Sequence, residues 1–176
     1  MANPDPGKTR LPNAFIAETR QVCVVTHDLD AMVRRYADEL GIGPWWVNEY
    51  KAPDLFDTTY RGQKVDYSMR LALAWTGALN WEIIQPLDGP SIYKDYLERN
   101  QDGIQHVGVL LGDLGMSWEE CHRSFKSRGF DAAMEGSWKR VRFCYFDTLA
   151  SSGTIIEVID RPSDFERPEP LYWYPE

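Results

Sequence analysis

Apolar residues recur along this chain with two spacings, and the alternation between them predicts its elements. Leu29, Met32, Val33, Tyr36 and Leu40 follow the spacing of one buried helical face, with Asp28 placed to cap the helix and Gly41 to stop it. Period-two runs predict strands. In one, Tyr67, Met69, Leu71 and Leu73 alternate with Asp66, Ser68, Arg70 and Ala72. Strands are expected at 20–26, 45–50, 66–75 and 79–85, then near 104–112, 130–134, 140–147 and 154–160. Ser91 opens a short helix over 92–99. Ser117, with Glu120 three residues on, forms a capping box for another, which Gly129 ends. Glu135-Gly136-Ser137 and Ser151-Ser152-Gly153 read as turns. Residues 51–64, with Pro53, Asp54, Asp57 and Gly62, read as a loop covering something.

The order is therefore βαβββ, connector, βαβββ. An arm over 1–18 precedes a first module at 19–87, a connector helix at 88–103 and a second module at 104–162. The tail at 163–176 carries Phe165, Leu171, Tyr172, Trp173 and Tyr174 and is too apolar to float free, so it is expected to wrap the body or a partner subunit. The predicted fold class is α+β, with two βαβββ modules forming a curved mixed sheet.

The halves echo each other. Gln21-Val22-Cys23-Val24-Val25 runs into Asp28-Leu29, and His106-Val107-Gly108-Val109-Leu110 runs into Asp113-Leu114, at one offset of 85 residues. Trp81-Glu82-Ile83-Ile84 is echoed by Ile156-Glu157-Val158-Ile159. A polar, ligand-competent side chain thus opens an apolar strand twice, and a carboxylate interrupts one twice. A lone His on an apolar strand is more often a hydrogen-bonded core residue, and a lone strand Glu usually faces water. The repeated placement in apolar runs shifts the balance, because buried carboxylates need partners or a metal. If the strands carrying them are neighbours in a curved sheet, Gln21, Glu82, His106 and Glu157 converge on a concave metal-binding cleft. That donor set suits one divalent ion, Zn, Ni, Co, Mn or Mg, with two carboxylates balancing its charge.

Composition narrows the partners. A formal charge of −8 argues against nucleic acid and anionic membrane, leaving a small molecule as the expected partner. No stretch approaches the about 20 apolar residues of a membrane span. Residues 1–10 lack the apolar run of a signal peptide. Cys23, Cys121 and Cys144 have no paired spacing and read as reduced, buried thiols of a cytoplasmic protein.

In the order and spacing of these motifs, the chain resembles the vicinal oxygen chelate superfamily, which includes glyoxalase I, methylmalonyl-CoA epimerase, extradiol dioxygenases and bleomycin-resistance proteins. The marks are the strand and helix start at Gln21 to Met32, the Leu40-Gly41 stop, Trp81-Glu82-Ile83-Ile84-Gln85-Pro86 and Ile155-Ile156-Glu157-Val158. The stretch from Gln85-Pro86 to His106-Val107, with its connector helix, looks most like the epimerase branch. The epimerase's first metal ligand, a His, is Gln21 here, and the paired histidines before the third ligand strand are Gln105-His106. The Gln-Glu-His-Glu set matches the eukaryotic type of glyoxalase I, and one His fewer than the dioxygenases use disfavours oxygen activation.

The resemblance implies a metal-dependent isomerase, epimerase or lyase that moves a proton next to a carbonyl through a metal-stabilised enediolate. Its alternatives are a glutathione-dependent glyoxalase I-type lyase and a non-catalytic drug- or metabolite-binding protein. Glu157 is the implied ligand and base. Glu49, on the strand before the 51–64 loop, is a second candidate base, although a strand carboxylate is more often simply exposed. Tyr50, Tyr67 and Tyr145 are candidate pocket walls. Trp45, Trp46, Phe56, Tyr60 and Trp75 hint at a bulky or planar carbonyl substrate, though core packing explains them equally well. His27 and His122 read as a helix-start residue and an exposed helix residue. Family members commonly dimerise, so a homodimer is expected.

Overall fold

Two strands, β1 (Gln21–Val25) and β7 (Gly103–Leu110), run antiparallel at the centre of the structure, and each half of the chain is built outward from one of them. The computed structural model describes residues 15, 16 and 18–176, so most of the predicted arm over 1–18 lies outside the described residues. In the first half, β1 pairs in parallel with β6 (Leu79–Pro86), followed outward by β5 (Met69–Thr76) and β2 (Trp45–Tyr50), both antiparallel. In the second, β7 pairs in parallel with β10 (Ile155–Asp160), followed by β9 (Val141–Phe146) and β8 (Ala132–Trp138), again antiparallel. The two arrangements match strand for strand, as the sequence echo predicts.

Each outer edge then receives an extra piece. The tail contributes β11 (Tyr172–Tyr174), which pairs with β2. Residues predicted as a covering loop instead form β3 (Leu55–Tyr60) and β4 (Gln63–Lys64), a hairpin that leaves its own half and pairs with β8. Among the described residues this gives one 11-stranded sheet, with both module edges covered rather than exposed.

Local chemistry explains the helices. Asp28 accepts a hydrogen bond from Ala31 N to start α1 (Leu29–Asp38), and Gly41, at φ +69°, follows its end. Leu29 and Val33 are buried under α1 against Val24, Trp45 and Ile83, with Met32 and Tyr36 beside them. Leu40, predicted on that face, lies past the last turn and is exposed. The short connector helix α2 (Ile92–Leu97) is capped by Ser91, and its Ile92 and Tyr93 are buried. A single turn, α3 (Leu111–Leu114), leads from β7 toward the predicted capping box of α4 (Trp118–Lys126), which is fully formed. Phe125 of α4 stacks on Phe146 at 3.8 Å over the outer face of the second half.

Two predicted turns prove different. Gly136 and Ser137 lie inside β8, and the chain reverses at Lys139-Arg140. Gly136 is needed there because a Cβ would fall 2.7 Å from Tyr67 Oη and 2.8 Å from Phe143 Cζ. Residues 149–152 form a helical turn, α5 (Leu149–Ser152). The sheet curls so that its distant edges meet: Trp46 of β2 approaches Trp138 of β8 at 6.1 Å, and Tyr67 Oη donates to Glu135 O. The remaining inner face is lined by Met69, Leu71, Phe143 and Tyr145.

Candidate metal centre and cleft

The strand register places two neighbouring rows of side chains across the middle of the inner face. One row reads Asn80, Gln21, Gly108, Glu157, and the next reads Glu82, Cys23, His106, Ile155. In each half the ligand-type residue that opens the strand is followed two positions later by a small one, Cys23 after Gln21 and Gly108 after His106. The small residues leave the larger four room to converge. A Cβ on Gly108 would lie 2.9 Å from Gln21 Cβ and 3.3 Å from Glu157 Oε2.

The four predicted ligands are brought together. Gln21 Nε2 donates to Glu82 Oε2 and Glu157 Oε2, each at 2.9 Å. His106 Nε2 lies 3.3 Å from Glu82 Oε2 and 3.5 Å from Glu157 Oε2. All four are buried, His106 completely. Ligand atoms about 2.1 Å from one ion sit roughly 3 Å apart around it, so this spacing fits shared coordination. Gln21 presents nitrogen here, the face that satisfies two carboxylates; turning the amide over offers oxygen to a cation at the same place. The donor chemistry and spacing therefore fit a divalent ion.

A β-bulge prepares the histidine. Cys23 is opposite His106 but Val24 is opposite Ile104, so Gln105 has no partner across the pair. Consecutive residues, which would otherwise point to opposite faces, are here both buried and in contact. Gln105 Oε1 lies 2.6 Å from His106 Nδ1, while its Nε2 donates to Ile92 O at 3.2 Å. With the amide nitrogen committed to Ile92, the oxygen accepts from His106 Nδ1–H, which leaves Nε2 aimed at the carboxylates. Burial alone would lower the His106 pKa, but hydrogen bonds and charge from Glu157 and Glu82 outweigh it and raise it to about 9. Burial pushes Glu82 the other way, above the usual carboxylate range, and His106 only partly offsets it. Without a metal, the cluster is a site that holds a proton tightly.

Sequence reasoning gave no site role to Cys23, Gln105 or Gly108. Cys23 Sγ clusters with ligand atoms of Glu82 and His106, and its thiol is held neutral by burial and by Glu82. The available signal was its spacing of two residues from Gln21 on one strand face. Glu49, the second candidate base, lies outside the lining of the cleft and pairs with Lys51 Nζ at 2.7 Å. On β2 the residues facing the inner core are Trp46 and Tyr50, and alternation turns Glu49 the other way. His27 pairs with Asp102 and His122 with Glu135, both away from the cleft.

Above the ligand cluster opens a cleft of about 290 Å³. Tyr50 and Tyr145 line it, whereas Tyr67 spends its hydroxyl on Glu135 O. Of the aromatics read as substrate-facing, Trp75 reaches it; Trp45 and Trp46 are core, Phe56 faces solvent and Tyr60 bonds Asp95. Leu71, Leu73 and Phe143 form apolar walls, and the tail closes one side with Phe165 and Arg167.

This paired-module architecture is shared with known proteins. Residues 20–145 match the model of the Glyoxalase/Bleomycin resistance protein/Dioxygenase superfamily. The chain belongs to this superfamily. Among solved structures, it is similar to methylmalonyl-CoA epimerase from Mycobacterium tuberculosis, with 20% identity and a TM-score of 0.61 over 87% of this chain and 93% of that one. A hypothetical protein from Bacillus halodurans C-125 aligns at 13% identity and a TM-score of 0.63, over 85% of this chain and 98% of that one. A variant of Streptomyces coelicolor methylmalonyl-CoA epimerase in complex with 2-nitronate-propionyl-CoA aligns at 16% and 0.57, over 87% and 99%. At these identities the likeness is one of fold. A search of curated proteins found no match. No helix among the described residues is long and apolar enough to cross a membrane.

Proposed function

We propose that the chain is an enzyme that moves a proton on a carbon next to a carbonyl, as an isomerase or epimerase of the vicinal oxygen chelate type. The observation that carries this reading is the convergence of Gln21, Glu82, His106 and Glu157 at the floor of an apolar cleft. A divalent ion held by those four would polarise the substrate carbonyl and offset the charge that develops on its oxygen. The rest falls to the chain. Glu157 is the proposed base, because its carboxylate belongs to the cluster and also lines the cleft where the α-carbon would sit. Gln21 Nε2 orients that carboxylate, and its other oxygen has no hydrogen-bond partner among the described residues. Tyr145, whose ring meets His106 edge-on at 5.0 Å, accepts from Tyr93 Oη at 2.6 Å and so is fixed beside the histidine. Apolar walls exclude water from the reacting carbon, which strengthens every charge interaction there.

The test is exchange in deuterated water. Acyl thioesters, hemithioacetals and simple ketones are incubated with the metal-loaded chain and scored for deuterium at the α-carbon. Exchange with one of these classes, falling about 10²–10⁴-fold in Glu157→Gln when both proteins are compared at saturating metal, is the expected result. A hemithioacetal as the sole substrate would move the assignment to a glyoxalase I-type lyase. No exchange with any class, together with an ion-free protein, would leave a binding protein.

A further inference from the structure

The arginines around the cleft fall into two groups. Arg20, which lines it, pairs with Asp113 at 2.6 Å, just as Arg140 and Arg142 outside it pair with Asp164 and Asp160. Arg161 and Arg167 line the cleft yet have no carboxylate partner among the described residues. They repel each other: the Arg167 pKa is lowered, first by desolvation and then by Arg161. Arg167 is held in place by the face of Trp75, with Cζ 4.6 Å from the ring centroid. This is an unusual use of charge in a chain with 27 acidic and 19 basic residues, where a carboxylate partner is easily supplied. Both arginines lie beyond residues 20–145, Arg161 directly after β10 and Arg167 on a tail segment anchored by Trp46 Nε1 donating to Pro168 O at 3.0 Å. The same cleft has apolar walls of Leu71, Leu73 and Phe143, and the charge of Glu82 also acts on Arg167.

We infer that Arg161 and Arg167 form a subsite for an anionic group on the substrate, in the same cleft as the carbonyl that meets the ligand cluster. Two guanidiniums offer paired donors that match a carboxylate or a phosphate. Their local positive field also draws an anion toward a protein whose net charge repels it. The subsite rests on the proposed chemistry only in locating the carbonyl end; the charge recognition stands on the two arginines.

Calorimetric titration of the full chain as purified tests this with three probes that share an aryl ketone: 3-benzoylpropionate, its methyl ester and the matching phosphonate. At least one anion is expected to bind tenfold or more tightly than the ester, with affinity falling as salt rises. Comparing the two anions tells carboxylate from phosphate. In Arg161→Gln/Arg167→Gln, the anion's advantage is expected to vanish while ester affinity stays within about twofold. A loosened tail would instead weaken all three probes together. Equal binding of the three, failure of both anions to bind, or an anion preference that survives the double substitution overturns the subsite. Glu157→Gln separates this from the proton-transfer reading: it should keep the anion preference while losing exchange.

Discussion

Tyr50 of β2 lies flat on Trp138 of β8, with ring centroids 4.0 Å apart and planes 4° from parallel. These residues belong to opposite halves of the chain, and their strands are far apart in the sheet. Their contact therefore holds the curl, and Tyr50 also forms a wall of the cleft. Trp138→Ala is expected to cost about 3–5 kcal/mol in urea unfolding, as for other large aromatic deletions from a core. Trp138→Phe should cost much less, because it keeps a stacked ring and removes an indole N–H that is buried without a partner among the described residues. Equal losses in the two variants would mean that the stack does not carry the curl.

Gly108→Ala should spoil the ligand cluster before it spoils the fold. The added methyl meets Gln21 Cβ at 2.9 Å and Glu157 Oε2 at 3.3 Å, and both must shift. Overpacking of this kind costs about 1–3 kcal/mol. The expected outcome is a folded protein by circular dichroism whose bound metal, by elemental analysis, drops well below wild type.

Metal binding should release protons. With the His106 pKa raised to about 9, the metal-free site is protonated at neutral pH, and an incoming cation must displace that proton. Apparent metal affinity should therefore rise with pH and level off near 9, and calorimetry in buffers of different ionisation enthalpy should count the proton. The metal-free protein shows the opposite trend. A histidine pKa raised by folding stabilises fully below about 6.5, and its contribution is lost as pH climbs toward 9. Metal affinity that is flat between pH 6 and 8 would rule out His106 as a ligand.

The tail should loosen in acid. Asp30 accepts from Arg70 Nη1 at 2.9 Å and also from Tyr172, so its pKa is lowered, first by Arg70. A depressed carboxylate stabilises above its ordinary pKa, and that contribution disappears as pH falls through the folded value. Asp30 is partly exposed, so Asp30→Asn should cost about 1 kcal/mol or less. The measurable effect is local: faster amide exchange where Leu171 N donates to Val47 O. Exchange there that is unchanged in Asp30→Asn would show that strand pairing alone retains the tail.

Gln105→Ala should weaken metal binding about 10–100-fold, because His106 Nδ1 loses the acceptor that sets its tautomer and aim. Gln105→Glu keeps an acceptor there and should retain more affinity, read by competition with a chelator.

Much of this protein was legible in one dimension. The echo of Gln21 in His106 and of Glu82 in Glu157 marked a doubled module, because each apolar strand tolerates a polar residue only where something partners it. Asp28, Ser91 and Ser117 announced their helices through capping, which acts over three residues. Other features depended on contacts distant in sequence. The 51–64 segment carries turn residues, and its pairing with β8 depends on a partner strand some 80 residues away. Strict alternation hid Gln105, since only the bulge opposite Val24 lets it reach its neighbour His106. The sequence by itself determined which residues would seek a buried, charged centre. Tertiary structure decided which face Glu49 would take, that Arg161 and Arg167 would reach the cleft, and how wide that cleft would be, because strand parity, register and the closing of sheet edges are set by long-range packing.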